Sequence, residues 1–226
     1  MFLKTGEMKK IMKNSLKRYG LIVGNVDGHY LVYSDNWGVY VEHAFATNKF
    51  KAAIMELIGD LPEPCECYHY TIGDDKEIQQ QGIVDFPNPY ALWKTAKDFG
   101  TLAPMFLVAW PHEFIVYQRK SDLKFIVAPR ELTAAAISPS ELDTTCEHMP
   151  GRPSILYGSI LYFKNESTIY WVHTESPGTR ALEVLFPHLE GISFFESDWL
   201  APVLEPVRQE PDDDEENDAV EEQLPY

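Results

Sequence analysis

The 226-residue chain carries 35 acidic against 19 basic residues, a formal charge of −16 with histidine neutral, so any hold on nucleic acid must come from a local basic patch. Its 45% apolar and 24% charged residues are those of an ordinary globular protein, and three cysteines make no disulfide framework, which points to a reducing cytoplasm. The longest apolar run, Met105 to Trp110, is far too short for a membrane span, and neither export nor insertion is expected.

Charge divides the chain. Between Glu205 and Tyr226 stand ten acids and one arginine, so −9 of the formal charge falls there and −7 is left for the rest. Residues 205–226 therefore read as a disordered acidic tail. Residues 1–204 read as a globular α+β body, either one unit or two subdomains of about 1–88 and 89–204.

The first eighteen residues bring Lys4, Lys9, Lys10, Lys13, Lys17 and Arg18, with no apolar run behind them to make a signal peptide. Tyr30 to Glu42 alternates β-favouring residues around Ser-Asp-Asn-Trp-Gly, a hairpin signal. Thr47 is placed to cap a helix whose apolar residues, Phe50, Ala53, Ile54, Leu57 and Ile58, recur at three- and four-residue spacing until Gly59 and Pro62 stop it. Glu66 to Ile72 follows as a strand, and Pro89 to Leu102 as a helix with Trp93, Ala96 and Phe99 inward.

The same grammar returns twice. Phe114–Tyr117 and Leu123–Val127 form a second hairpin, followed by Pro129 and an alanine-rich helix through Ile137. Ile160–Phe163 and Thr168–Val172 form a third, followed by a helix opened by Ser176-Pro177 with Leu182, Leu185, Phe186 and Leu189 on one face, and a closing strand at Ile192–Phe195. About three strand-strand-helix units imply antiparallel sheets covered by helices.

Chemistry-bearing patterns are few. No glycine-rich phosphate loop, nucleophile elbow or H-E-x-x-H is present, and no enzyme is expected. Cys67 with His69, and Cys146 with His148, stand two apart, a spacing that puts each pair on one face of a strand; zinc held by the four is the alternative to buried thiols. Aromatic residues beside charged turns suggest a stacking surface for single-stranded DNA, with Trp37, Tyr40 and Trp171 as platforms and Arg119, Lys120 and Lys124 on the backbone. Lys9, Lys10, Lys13, Lys17, Arg18, Lys49, Lys51 and Arg152 are further backbone-tracking candidates.

The ending Glu221-Glu222-Gln223-Leu224-Pro225-Tyr226 resembles the acidic tip of bacterial and phage single-stranded DNA-binding proteins. That resemblance implies that Leu224, Pro225 and Tyr226 form an apolar plug docking into replication or repair proteins. It departs at Tyr226, where phenylalanine is usual, and at Gln223, where an acid is usual. The body is faintly similar to DNA sliding clamps in Ala44 to Pro62, which follows a strand pair with a helix and a Leu-Pro stop, and in Arg152 to Phe163, which echoes a clamp strand entry. The expectation is a non-enzymatic, cytoplasmic DNA replication or repair protein of phage type, binding single-stranded DNA. The alternatives are a sliding-clamp-like protein, or an acidic inhibitor or DNA mimic of a phage or mobile element.

Overall fold

In a computed structural model, which describes residues 1–86, 88–109, 111–142, 152–175, 180–189 and 191–195, the chain is built around one antiparallel sheet. Helix α1 (Thr5–Arg18) opens the chain. Its buried residues Met8, Ile11, Met12, Ser15 and Leu16 repeat at three and four, the signature of one inward face. Glu7 lies in its first turn and Lys17 and Arg18 in its last, each sign matched to the helix dipole. The hairpin strands β1 (Leu21–Val26), β2 (His29–Tyr33) and β3 (Trp37–Glu42) follow.

Helix α2 (Asn48–Ile58) starts as the sequence predicts: Thr47 Oγ1 accepts the Phe50 amide at 3.2 Å, and Gly59 ends it at a φ of 94°. Such caps satisfy backbone groups the helix itself leaves open. Strands β4 (Glu66–Ile72) and β5 (Ile78–Ile83) complete the first half. Helix α3 (Pro89–Thr95), capped by Asn88, leads into β6 (Asp98–Ala109), β7 (His112–Arg119) and β8 (Phe125–Pro129). After them come β9 (Ser154–Leu156), β10 (Ile160–Lys164), β11 (Thr168–His173) and α4 (Arg180–Leu189).

The sheet is larger than three separate hairpins. Its eleven strands run β5-β4-β1-β2-β3-β11-β10-β9-β6-β7-β8. The two halves join through β3 and β11, which pair from Trp37 with Val172 to Val41 with Thr168. A register shift between Leu102 and Phe106 bends β6 out of line, so that it serves β9 at its start and β7 along the rest.

Three expected elements are corrected. The helix from Pro89 ends at Thr95 instead of Leu102, because Asp98 to Leu102 is already strand β6. The alanine-rich segment after Pro129 forms turns. Partners from outside the segment hold it: Tyr170 donates to the Leu132 carbonyl, the Lys4 amide donates to the Ala136 carbonyl, and Ile137 bridges to Leu3, while Thr133 turns back to the Pro129 carbonyl. Tertiary contacts here outweigh the helix preference of alanine. Ile192 to Phe195 is no strand but a turn-rich segment tied to β7: the buried Gln118 amide donates to Ile192 O at 2.8 Å and accepts from Phe194 N at 2.8 Å. Of the predicted α4 face, Phe186 and Leu189 pack against the apolar cluster around Phe125, and Leu185 is exposed.

The core lies between the sheet and the α1–α2 pair. Met8, Met12, Phe50 and Ile54 meet Trp37, Val39, Leu161 and Tyr170 there. Tyr170 is fully buried, its hydroxyl 2.7 Å from the Leu132 carbonyl, and burial pushes its pKa far up. Tyr170→Phe is expected to cost about 1–3 kcal/mol, since it strands a buried carbonyl. A thermal midpoint unchanged within error would refute that role.

Candidate functional site

Two surfaces on opposite faces of the sheet carry the chemistry. The first is helical and basic. Between them α1 and α2 hold seven of the chain's 19 lysines and arginines and only two acids, Glu7 and Glu56. Both acids are engaged, Glu7 with Lys10 at 2.8 Å and Glu56 with Lys9 across the helix pair. Lys13, Lys17, Arg18 and Lys49 are exposed and make no ion pair among the described residues. Lys10, Lys13 and Lys17 stand at i, i+3 and i+7, a stripe roughly 10 Å long on the side away from the core. Burying Met8, Ile11, Met12 and Leu16 forces these lysines outward, so core packing itself sets the basic face.

The second surface is an aromatic groove of about 450 Å³ on the other face, lined by β1, β2, β10 and β11 and roofed by Phe86, Pro89 and Leu92. Tyr33 and Tyr162 flank Trp171, their ring centroids 6.2 and 6.4 Å from the indole. Gly38 makes this possible. A Cβ there would sit 1.9 Å from the Trp171 ring, so the indole lies directly over the β3 backbone. Burial pushes the Tyr162 hydroxyl up to about 12. The polar lining is Ser34, Asp35, His69 and His173; burial lowers the His173 pKa and Asp35 opposes it. Tyr19 and Gly20 form the end of the groove nearest α1, immediately after Lys17 and Arg18.

A wider trough of about 800 Å³ runs along α1, but Lys4, Arg18 and Arg130 alternate there with Glu7, Glu113 and Glu131. Mixed charge gives it no preference for an anion or a cation.

The six residues predicted to grip single-stranded DNA are not brought together. Trp37 is fully buried on the helix side and donates its indole N–H to Ser15 Oγ at 2.8 Å. Tyr40 is buried on the opposite face, stacked on His29 at 4.1 Å. Trp171 is half-buried in the groove. Arg119, Lys120 and Lys124 belong to the β7–β8 turn, where Arg119 is paired with Asp122 and Asp98. Stacking rings and basic groups must line one channel to hold a single strand, and here they do not.

Of the metal candidates, Cys67 belongs to the outer-face cluster and packs against Gly24, and burial pushes its thiol up to about 11. His69 lines the groove. Cys146, His148, Leu224, Pro225 and Tyr226 lie outside the described residues. Among the described residues no cluster of three potential metal ligands occurs, and no helix is long and apolar enough to cross a membrane.

The sequence already showed the lysines of α1 and α2, but not that they share a face. The groove was missed. Its only local sign is Gly38 inside an otherwise bulky strand, a hint that something lies close to the backbone.

No family model matches the chain, and no curated protein matches it significantly. Solved structures that superpose on it include DNA sliding clamps. The DNA polymerase III β-subunit clamp of Bartonella birtlesii is 10% identical, with 80% of this chain and 66% of that one covered and a TM-score of 0.31. The clamp of Bacillus subtilis is 8% identical, with 80% and 66% covered and a TM-score of 0.28. The Helicobacter pylori clamp bound to a DNA ligase peptide is 10% identical, with 81% and 68% covered and a TM-score of 0.28. This chain thus spans 66% of the length of the first of them.

Proposed function

We propose that this chain is a non-enzymatic DNA replication accessory protein of sliding-clamp type, which holds duplex DNA against α1 and α2 by charge alone and offers its opposite face to protein partners. The observation that carries this reading is the stripe of Lys10, Lys13 and Lys17, with Arg18 and Lys49 exposed on the same two helices, on a protein that is acidic elsewhere. Lysine ammonium groups on a smooth helical surface neutralise phosphates without reading bases. The surrounding negative charge opposes tight binding away from that stripe, which favours a mobile contact over a fixed one. The aromatic groove supports the second half of the proposal: its size falls in the range of ligand-binding pockets, and a replication or repair protein would enter it with an apolar segment.

Fluorescence anisotropy with the full-length protein tests the DNA half. Duplexes of unrelated sequence are expected to bind equally, with log affinity falling against log salt at a slope of roughly −3 to −5, as four or five phosphate contacts require. Single strands of the same length are expected to bind no tighter than duplex. No binding at low salt, or binding that ignores salt, would overturn it.

A further inference from the structure

We infer that the chain's own segment Leu224-Pro225-Tyr226 docks in the aromatic groove formed by Tyr33, Tyr162, Trp171 and Leu92, so that the protein carries an occupant for the site it offers to others. The inference rests on the reading of the groove as a peptide site.

Three observations select this occupant. The final fifteen residues, from Asp212, hold five apolar side chains, Ala219, Val220, Leu224, Pro225 and Tyr226, and the last three form the larger cluster and the only one with an aromatic ring. The groove is matched to such a cluster, with about 450 Å³ of space between aromatic walls, enough for one aliphatic and one aromatic side chain. Charge fixes the direction of entry. Glu221 and Glu222 lie two to three residues before Leu224, and the groove's Tyr19 end directly follows Lys17 and Arg18. Entry with the acids toward that end is the direction that opposite charge favours.

Chain length permits the contact. Twenty-eight residues lie between Phe195 and Leu224, and a flexible chain of that length would have a typical span of roughly 30 Å and an extended reach of nearly 100 Å. A three-residue plug binds weakly by itself. Tethered, it experiences an effective concentration on the order of millimolar, which is enough to keep a weak site substantially filled. A partner's segment must then compete, and only one that binds tighter displaces the tip.

The test uses a fluorescent peptide of residues 212–226 and full-length proteins throughout. The wild-type protein is compared with a Leu224→Ser/Tyr226→Ser variant, whose own tip is disabled. The variant is expected to bind the peptide at least about tenfold tighter than wild type, because its groove is vacant. Adding Trp171→Ala to the variant should remove that binding. Leu92→Glu, on α3 outside the sheet, gives the same reading if Trp171→Ala fails to fold. Equal peptide affinity for wild type and tip variant, or none for either, would overturn the inference. So would dimers that form with concentration and vanish in the tip variant, since the plug would then belong to a neighbouring copy. Duplex binding, measured in parallel, reports on α1 and α2 independently. Loss of the peptide result with DNA binding intact refutes the tail docking alone.

Discussion

Changing Lys13, Lys17 and Arg18 together to glutamate is expected to weaken duplex binding about a thousandfold at about 50 mM salt. Each phosphate contact releases nearly one counterion, which at that salt contributes about one decade of affinity, so three lost contacts account for roughly three decades before any repulsion is added. All three side chains are exposed, and the core side of α1 is untouched. The fold pays a small cost, about 0.3–1 kcal/mol for each acid introduced at the dipole-negative end of the helix, at positions 17 and 18. Circular dichroism and a thermal midpoint within a few degrees of wild type would confirm that the effect is on binding. The counterpart is Lys120→Glu/Lys124→Glu in the β7–β8 turn, exposed residues of equal sign. Those should change duplex affinity less than about threefold. If the turn variant loses as much as the helix variant, DNA does not lie on α1 and α2.

That contrast also shows what was legible in the sequence. Helix α2 could be read in full because its signals are local: Thr47 at the cap, apolar residues at helical spacing and Gly59 at the stop. The hairpins β2–β3, β7–β8 and β10–β11 were equally local. Helix α1 was seen only as a cluster of lysines. Its cap, Lys4, makes no side-chain bond, although Met8, Ile11, Met12 and Leu16 marked its inner face. The segment after Pro129 misled in the other direction, since its alanines favour helix while bonds to Tyr170 and Leu3, distant in sequence, hold it in turns. The joining of the halves through β3 and β11 left no trace in local pattern. It depends on register between strands more than a hundred residues apart, and the groove depends on it in turn.

Gly38→Ala should therefore do disproportionate damage for a single methyl group. Gly38 lies opposite Trp171 in the β3–β11 pair, and a Cβ would approach three indole atoms, Cζ2, Cε2 and Cη2, at 1.9, 2.3 and 2.4 Å. No real side chain tolerates such contacts, so the indole must swing away from its place beside Tyr33 and Tyr162. Overpacking of this kind costs about 1–3 kcal/mol, roughly 2–12 °C in thermal midpoint for a chain of this size. Binding of the 212–226 peptide to the tip-disabled protein should fall at least about tenfold, because Trp171 no longer forms the groove wall. Duplex binding should be unaffected, since α1 and α2 lie across the sheet and contact neither residue. A second change, Trp171→Leu, removes the clash and should recover part of the lost stability without restoring peptide binding, a non-additive pair that only direct contact produces. If Gly38→Ala and Trp171→Leu instead add independently, the indole does not rest on Gly38, and the groove owes its shape to something else.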